Sequence, residues 1–221
     1  MTGWLLAAAA VLAAAALGRQ AGRAARADWG APWLDRLDGL NRLFCRHVHG
    51  LRAPLLALPP EGPALVAANH VSGLDPLVLA AVSPRPLRFL IAREQYARWW
   101  LRPFFRAIGC IPVDRAHRPD RALRAALRAL EAGEVVVIFP EGGIRYRTER
   151  RRGLKGGVAW LACRTGAPVL PVRVDGVRGA GRVLGALFLP SRVRVTAYPP
   201  LRCAAPEEGP RLLARLHDLL C

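Results

Sequence analysis

The stretch Asn69-His70-Val71-Ser72-Gly73-Leu74-Asp75 holds a base and an acid five residues apart, directly after the apolar run 64–68. Histidine is the side chain poised to take a proton near neutral pH. A carboxylate bonded to its second ring nitrogen fixes the tautomer and stabilises the imidazolium that forms. His70 and Asp75 can meet in this way across a tight turn containing Gly73. Asp75 also precedes Pro76 and an apolar run, the pattern of a helix N-cap with proline in the first turn. The two roles are compatible, since a carboxylate has two oxygens. Ser72 is a conceivable nucleophile two residues from the base, but the chain contains no G-x-S-x-G elbow. A base without an evident nucleophile points to direct deprotonation of a substrate hydroxyl.

A second group follows another apolar run: Phe139-Pro140-Glu141-Gly142-Gly143-Ile144-Arg145. Pro140 ends a strand ladder, the glycines let backbone amides approach a ligand, and Arg145 suits a phosphate. The alternative is an ordinary strand-end turn with a solvated arginine. A third block, Gly109 to Arg115, delivers Arg115 from a further strand. Between the blocks lie Trp99, Trp100, Phe104 and Phe105, edged by Arg98, Arg102 and Arg106. That mixture fits either a lipid headgroup boundary or buried packing. No metal site is expected, because Cys45, His47 and His49 at i, i+2, i+4 do not share one helical face. The five cysteines are widely spaced without a C-x-x-C pair, so neither a disulfide framework nor a zinc knuckle is expected, and a reducing compartment fits.

These residues need strand ends to carry them. Runs 64–68, 87–92, 108–113, 135–139, 169–174 and 193–198 read as strands, several of them apolar on both faces as in a covered parallel sheet. Residues 120–132 and 154–165 read as helices stopped by Gly133 and Gly166. The alternation predicts a single α/β domain with a mixed, largely parallel sheet flanked by helices. The carboxyl ends of such strands are where open sheets build their sites.

The length of 221 residues, with 52% hydrophobic and 22% charged residues, is that of one folded domain with an appendage. The formal charge of +17 asks for an anionic partner, and every basic residue except Lys155 is arginine. A nucleic-acid binder is disfavoured, since no zinc-finger spacing or aromatic RNP-type motif is present. Residues 2–18 carry no charge and as a helix would measure about 26 Å, a marginal membrane span. Arg19, Arg23 and Arg26 follow that run, which favours a retained anchor over a cleaved signal and puts the remainder on the cytoplasmic face of the plasma membrane. The division is therefore residues 1–27 as an anchor and 28–221 as the main domain, with a buried helix as the alternative for the first part. Trp33, Leu37, Leu40 and Phe44 then form an amphipathic stripe that could lie on a membrane or pack on the domain.

In order and spacing, N-H-x4-D at Asn69 to Asp75, the block ending at Arg115, F-P-E-G with a following arginine, and Val169-Leu170-Pro171-Val172 resemble the lysophosphatidic acid acyltransferases of the glycerolipid acyltransferase group. The resemblance covers about two thirds of the chain, roughly residues 64–198. It implies transfer of a fatty acyl group from a thioester of coenzyme A or acyl carrier protein to the free hydroxyl of lysophosphatidic acid, at a membrane and without a cofactor. It implies His70 as general base and Asp75 as its orienting partner. Asn69, Arg115, Glu141, Gly142, Gly143 and Arg145 would bind the acceptor. The family usually carries threonine and then arginine after F-P-E-G, whereas here Gly143 and Ile144 precede Arg145. Another lysophospholipid or a lyso-ornithine lipid is an alternative acceptor, and a noncatalytic lipid-binding module is the alternative from another class.

Overall fold

The computed structural model describes residues 2–115, 119–144 and 153–221. β1 (Ala64–Ala68) is buried along its whole length, as small and branched apolar residues allow, between two parallel neighbours. One is β4 (Val135–Ile138), with Val66 opposite Val137, and the other is β5 (Val169–Asp175), with Val66 opposite Leu170. β2 (Leu87–Ala92) and β3 (Ile111–Val113) extend the sheet beyond β4, and β6 (Arg194–Ala197) closes the other side. The order is β3-β2-β4-β1-β5-β6, parallel except for the antiparallel β6. The expected mixed, largely parallel sheet is therefore present. The turns after β1, β4 and β3, which hold the chemical residues, leave from its carboxyl edge.

Alternation along β1 divides the core. Ala64, Val66 and Ala68 pack on α3 (Asp75–Val82) through Val78, Leu79 and Val82. Leu65 and Ala67 face α6 (Pro119–Glu131), α7 (Gly157–Thr165) and α8 (Gly209–Leu220), where Leu130, Leu161 and Leu216 are completely buried. Each such leucine contributes roughly 2–3 kcal/mol of transfer free energy. The strand expected at 108–113 begins only at Ile111. Residues 108–110 instead finish the helix α5 (Arg102–Ala107), Cys110 donating its N–H to the Phe105 carbonyl. The outer strands are short: β3 has three residues with Pro112 in the middle, and β6 has four, with Arg194 and Thr196 exposed.

The amino-terminal residues form α1 (Thr2–Ala24) and α2 (Pro32–His47). Among the described residues no helix is long and apolar enough to cross a membrane. α1 is 23 residues long. Its Trp4, Val11, Leu12 and Leu17 are exposed, and it meets α2 where the backbone of Ala21 lies directly against Gly39. α2 is docked through polar groups. Buried Asp38 accepts from the Arg26 N–H at 3.0 Å and from Arg42 Nε at 2.7 Å. Arg42 also donates to the Ala81 and Ser83 carbonyls at 2.6 Å each, at the end of α3, and Asn41 Nδ2 donates to the Leu77 carbonyl. Of the apolar stripe, only Phe44 and Leu40 turn inward to some degree, while Trp33 and Leu37 remain 50% and 39% exposed.

One cysteine expectation is corrected. Cys163 in α7 and Cys203 form a disulfide with Cα atoms 4.7 Å apart. A sequence separation of 40 hides this pairing, which arises because Leu201 bridges to Val169 and so brings the chain after β6 against α7. Cys45 and Cys110 are buried free thiols, and burial pushes both up to about 12.

Candidate active site

The turn after β1 is organised by one carboxylate. Asp75 Oδ2 accepts from His70 Nδ1 at 2.9 Å, from the Val71 N–H at 2.7 Å and from the Ser72 N–H at 2.8 Å. Oδ1 accepts from Ser72 Oγ at 2.9 Å. Asp75 is the first residue of α3 rather than its cap. Its carboxylate turns back onto the preceding turn and makes no capping bond to the helix. The bond to Asp75 selects the tautomer with the proton on Nδ1, leaving the Nε2 lone pair as the acceptor. The His70 side chain is 15% exposed and that of Asp75 fully buried, so the ring reaches solvent while its partner does not. Phe139 stacks on the imidazole at a centroid distance of 4.1 Å and an angle of 18°, fixing the ring plane from the neighbouring strand end.

Ser72 does not fit a nucleophile. It is fully buried, and its hydroxyl both donates to Asp75 and accepts the Leu74 N–H at 3.1 Å. Asn69 is 1% exposed; its Nδ2 donates to the Val174 carbonyl at 2.9 Å and its Oδ1 accepts the Val174 N–H at 2.7 Å. It pins the end of β1 to β5, so it acts on the site by holding the strand that carries His70. Gly73 has no positive φ. It is required by proximity instead, since a Cβ there would collide with the Val183 carbonyl.

The turn after β4 collects cations. Gly142 lies at φ +78°, and its N–H donates to the Phe139 carbonyl at 3.0 Å, which removes it from the candidate oxyanion donors. The Lys155 side chain lies over Gly142: Nζ is 2.7 Å from where a Cβ would be, and the Lys155 N–H bonds the Pro140 carbonyl. The exposed Arg115 comes from the end of β3, its Nη1 3.5 Å from the corresponding position at Gly143. Glu141 is buried at 4% exposure beside them. Arg145 lies outside the described residues. His70, Asp75, Arg115, Glu141, Gly142 and Gly143 thus lie in turns at the carboxyl edge of one sheet, β2 separating the strand of Arg115 from β4. Lys155 is the residue that the motifs did not reveal; its one signal was being the sole lysine of an arginine-rich chain.

The other candidates separate. Cys45 and His49 are buried while His47 is exposed, and the described residues contain no cluster of three or more histidine, cysteine or acidic side chains that could hold a metal. Tyr96 stacks on Phe105, which packs on the core, whereas Trp99 and Trp100 are 84% and 52% exposed.

Residues 47–175 match the acyltransferase family model, and the chain belongs to that family. It is 28% identical over 120 residues to a 1-acyl-sn-glycerol-3-phosphate acyltransferase of Bacillus subtilis, covering 54% of this chain and 59% of that protein. It is 30% identical over 127 residues to a probable enzyme of the same name from Mycoplasma pneumoniae, covering 54% and 47%. The chain spans about half the length of the curated relatives it matches. The crystal structure of the 1-acyl-sn-glycerophosphate acyltransferase PlsC from Thermotoga maritima shares the fold, with a TM-score of 0.61, 20% identity, and 85% of this chain and 80% of that one covered.

Proposed function

We propose that the chain transfers a fatty acyl group from a thioester of coenzyme A or acyl carrier protein to the free hydroxyl of lysophosphatidic acid, giving phosphatidic acid. The observation that carries this reading is a solvent-reaching imidazole, held by a buried carboxylate at Nδ1 and stacked on Phe139, with Lys155 and Arg115 gathered at the turn that follows Phe139. Nε2 of His70 takes the hydroxyl proton as the oxygen attacks the thioester carbon. The tetrahedral adduct then collapses, the C–S bond breaks, and the departing thiolate takes the proton from the imidazolium, returning the base to its starting form. Because the thioester is already activated, positioning and a single base suffice, and no covalent enzyme intermediate is required. Arg115 and Lys155 bind the acceptor phosphate, with Arg145 and the Gly142–Gly143 turn completing the cradle.

Work on a membrane lipid is supported by the outward-facing Trp33, Leu37, Trp99 and Trp100 and by the exposed apolar side of α1. Such a helix pair lies on a bilayer surface instead of spanning it. The main domain, residues 28–221, then sits on the cytoplasmic face, with Arg19, Arg23 and Arg26 close to anionic headgroups. The deciding experiment follows thiol release from acyl-coenzyme A with lysophosphatidic acid, comparing the wild type with His70→Ala. Acceptor-dependent release that vanishes in the variant is expected, and full activity in the variant would exclude the mechanism.

A further inference from the structure

β5 and β6 are antiparallel neighbours, yet the chain takes residues 176–193 to pass between them, far more than the two to five residues typical of a hairpin. This excursion starts at the carboxyl end of β5, beside β1, and runs over the turn that carries His70. Gly181 donates its N–H to the Val71 carbonyl at 2.8 Å, and Gly73 donates to the Arg182 carbonyl at 3.1 Å. The missing side chain of Gly73 is what lets the Val183 carbonyl sit against it.

The loop is anchored from within. Ala186 is fully buried, Val177 and Leu187 pack on the core, and Ser191 Oγ accepts the Arg178 N–H at 3.0 Å. Its outer side is different in kind. Val183, Leu184 and Phe188 are 43%, 48% and 80% exposed, gathered around the short 3₁₀ turn Gly185–Phe188, and Arg178 and Arg182 are exposed close by in the chain. Three large apolar side chains on a backbone tied down at both ends, accompanied by arginines, have the composition of an element that enters a lipid headgroup layer.

We infer that the tip 182–188 inserts into an anionic phospholipid leaflet and thereby seats the His70 turn at the membrane surface. The inference rests on the proposed action on a membrane lipid. The occupant is a bilayer because both observations converge on it: the apolar side chains need a hydrocarbon boundary, and the arginines, in a chain of formal charge +17, need anionic headgroups. The two backbone hydrogen bonds to residues 71 and 73 make the depth of the tip and the height of the catalytic turn a single variable. An acceptor whose phosphate stays at headgroup level would then present its hydroxyl to His70 without leaving the leaflet.

The test uses the full chain carrying Phe188→Cys and Cys221→Ser, labelled with an environment-sensitive fluorophore at position 188, and phosphatidylcholine vesicles with and without phosphatidylglycerol. Co-flotation reports binding and the label reports insertion. The expected result is binding to the anionic vesicles with a blue shift of the label, while a label placed through Glu131→Cys, on the exposed side of α6, does not shift. Arg178→Glu with Arg182→Glu weakens binding to the anionic vesicles by about tenfold or more. Bound protein whose label at 188 stays in water overturns the loop assignment and leaves membrane action intact. Protein that binds neither vesicle overturns both.

Discussion

The turns after β1 and β4 sit on paired parallel strands and touch through the stack of His70 on Phe139, yet they are built on opposite plans. The first is closed: Asp75 gathers four hydrogen bonds within six residues, and its one outward-reaching element is the imidazole. The second is open, its glycines leaving room for Lys155 and Arg115, which arrive from elsewhere in the chain. A proton-transfer site needs one atom held still, and local bonds do that. A phosphate site needs charge converging from several directions, which local sequence cannot supply. Under the proposed mechanism the division of labour is rate from the first turn and acceptor affinity from the second.

The strongest break of this contrast is His70→Ala. A fall in kcat of about 10³-fold is expected, with KM for the acceptor nearly unchanged. Asp75→Asn comes next, at about 10²-fold or more in kcat, since an amide can donate to Nδ1 and favour the wrong tautomer. It also weakens the turn by presenting an N–H to buried donors, which thermal denaturation would register.

The second turn is expected to answer in the other parameter. Lys155→Ala and Arg115→Ala should each raise KM for a phosphorylated acceptor by about 10- to 100-fold, the value of a charge-assisted bond, with a smaller change in kcat. An acceptor lacking the phosphate should not distinguish them from wild type. If either substitution lowered kcat as much as His70→Ala, the division between the turns would fail. Smaller again is Gly73→Ala, expected to cost about 1–3 kcal/mol in denaturant unfolding by pushing the Val183 carbonyl away.

A second histidine sharpens the comparison at the lower end. His49 is fully buried against Phe44, and burial pushes its imidazole below the ordinary range. Its unfolded form takes up the proton first, so stability falls as pH drops below the ordinary value of 6.5, by at most about 1.4 kcal/mol per pH unit. His49→Gln should flatten that slope in thermal unfolding.

What the sequence disclosed follows the same line. β1 and β2 run end to end as the sequence predicts, and β1, buried along its whole length, is written in consecutive apolar residues. The His70–Asp75 bond was legible for the same local reason. Asn69 bonding Val174 across 105 residues, Lys155 covering Gly142, and the Cys163–Cys203 bridge were not, because each is produced by strand order and loop closure. α2 misleads in a different way. Its hydrophobic stripe is intact, but Asp38, Asn41 and Arg42 find carbonyls and backbone amides on the domain, so the polar side docks and part of the apolar side is left outside. Patterning assumes that polar groups seek water, and here protein backbone replaces it.

The shortness of the two outer strands has a consequence for how the molecule behaves in company. The interior strands Ala64–Ala68 and Val135–Ile138 consist of alanine, leucine, valine and isoleucine, which copies of the chain would readily pair if they met them unprotected. Among the described residues the sheet offers neighbours only β3, where Pro112 has no N–H to donate, and β6, four residues with an outward Arg194 and two prolines soon after. Neither is a template for a seventh strand. Crowding of many copies is therefore tolerated for as long as each stays folded, and the aggregation hazard is confined to chains that have not yet closed their sheet.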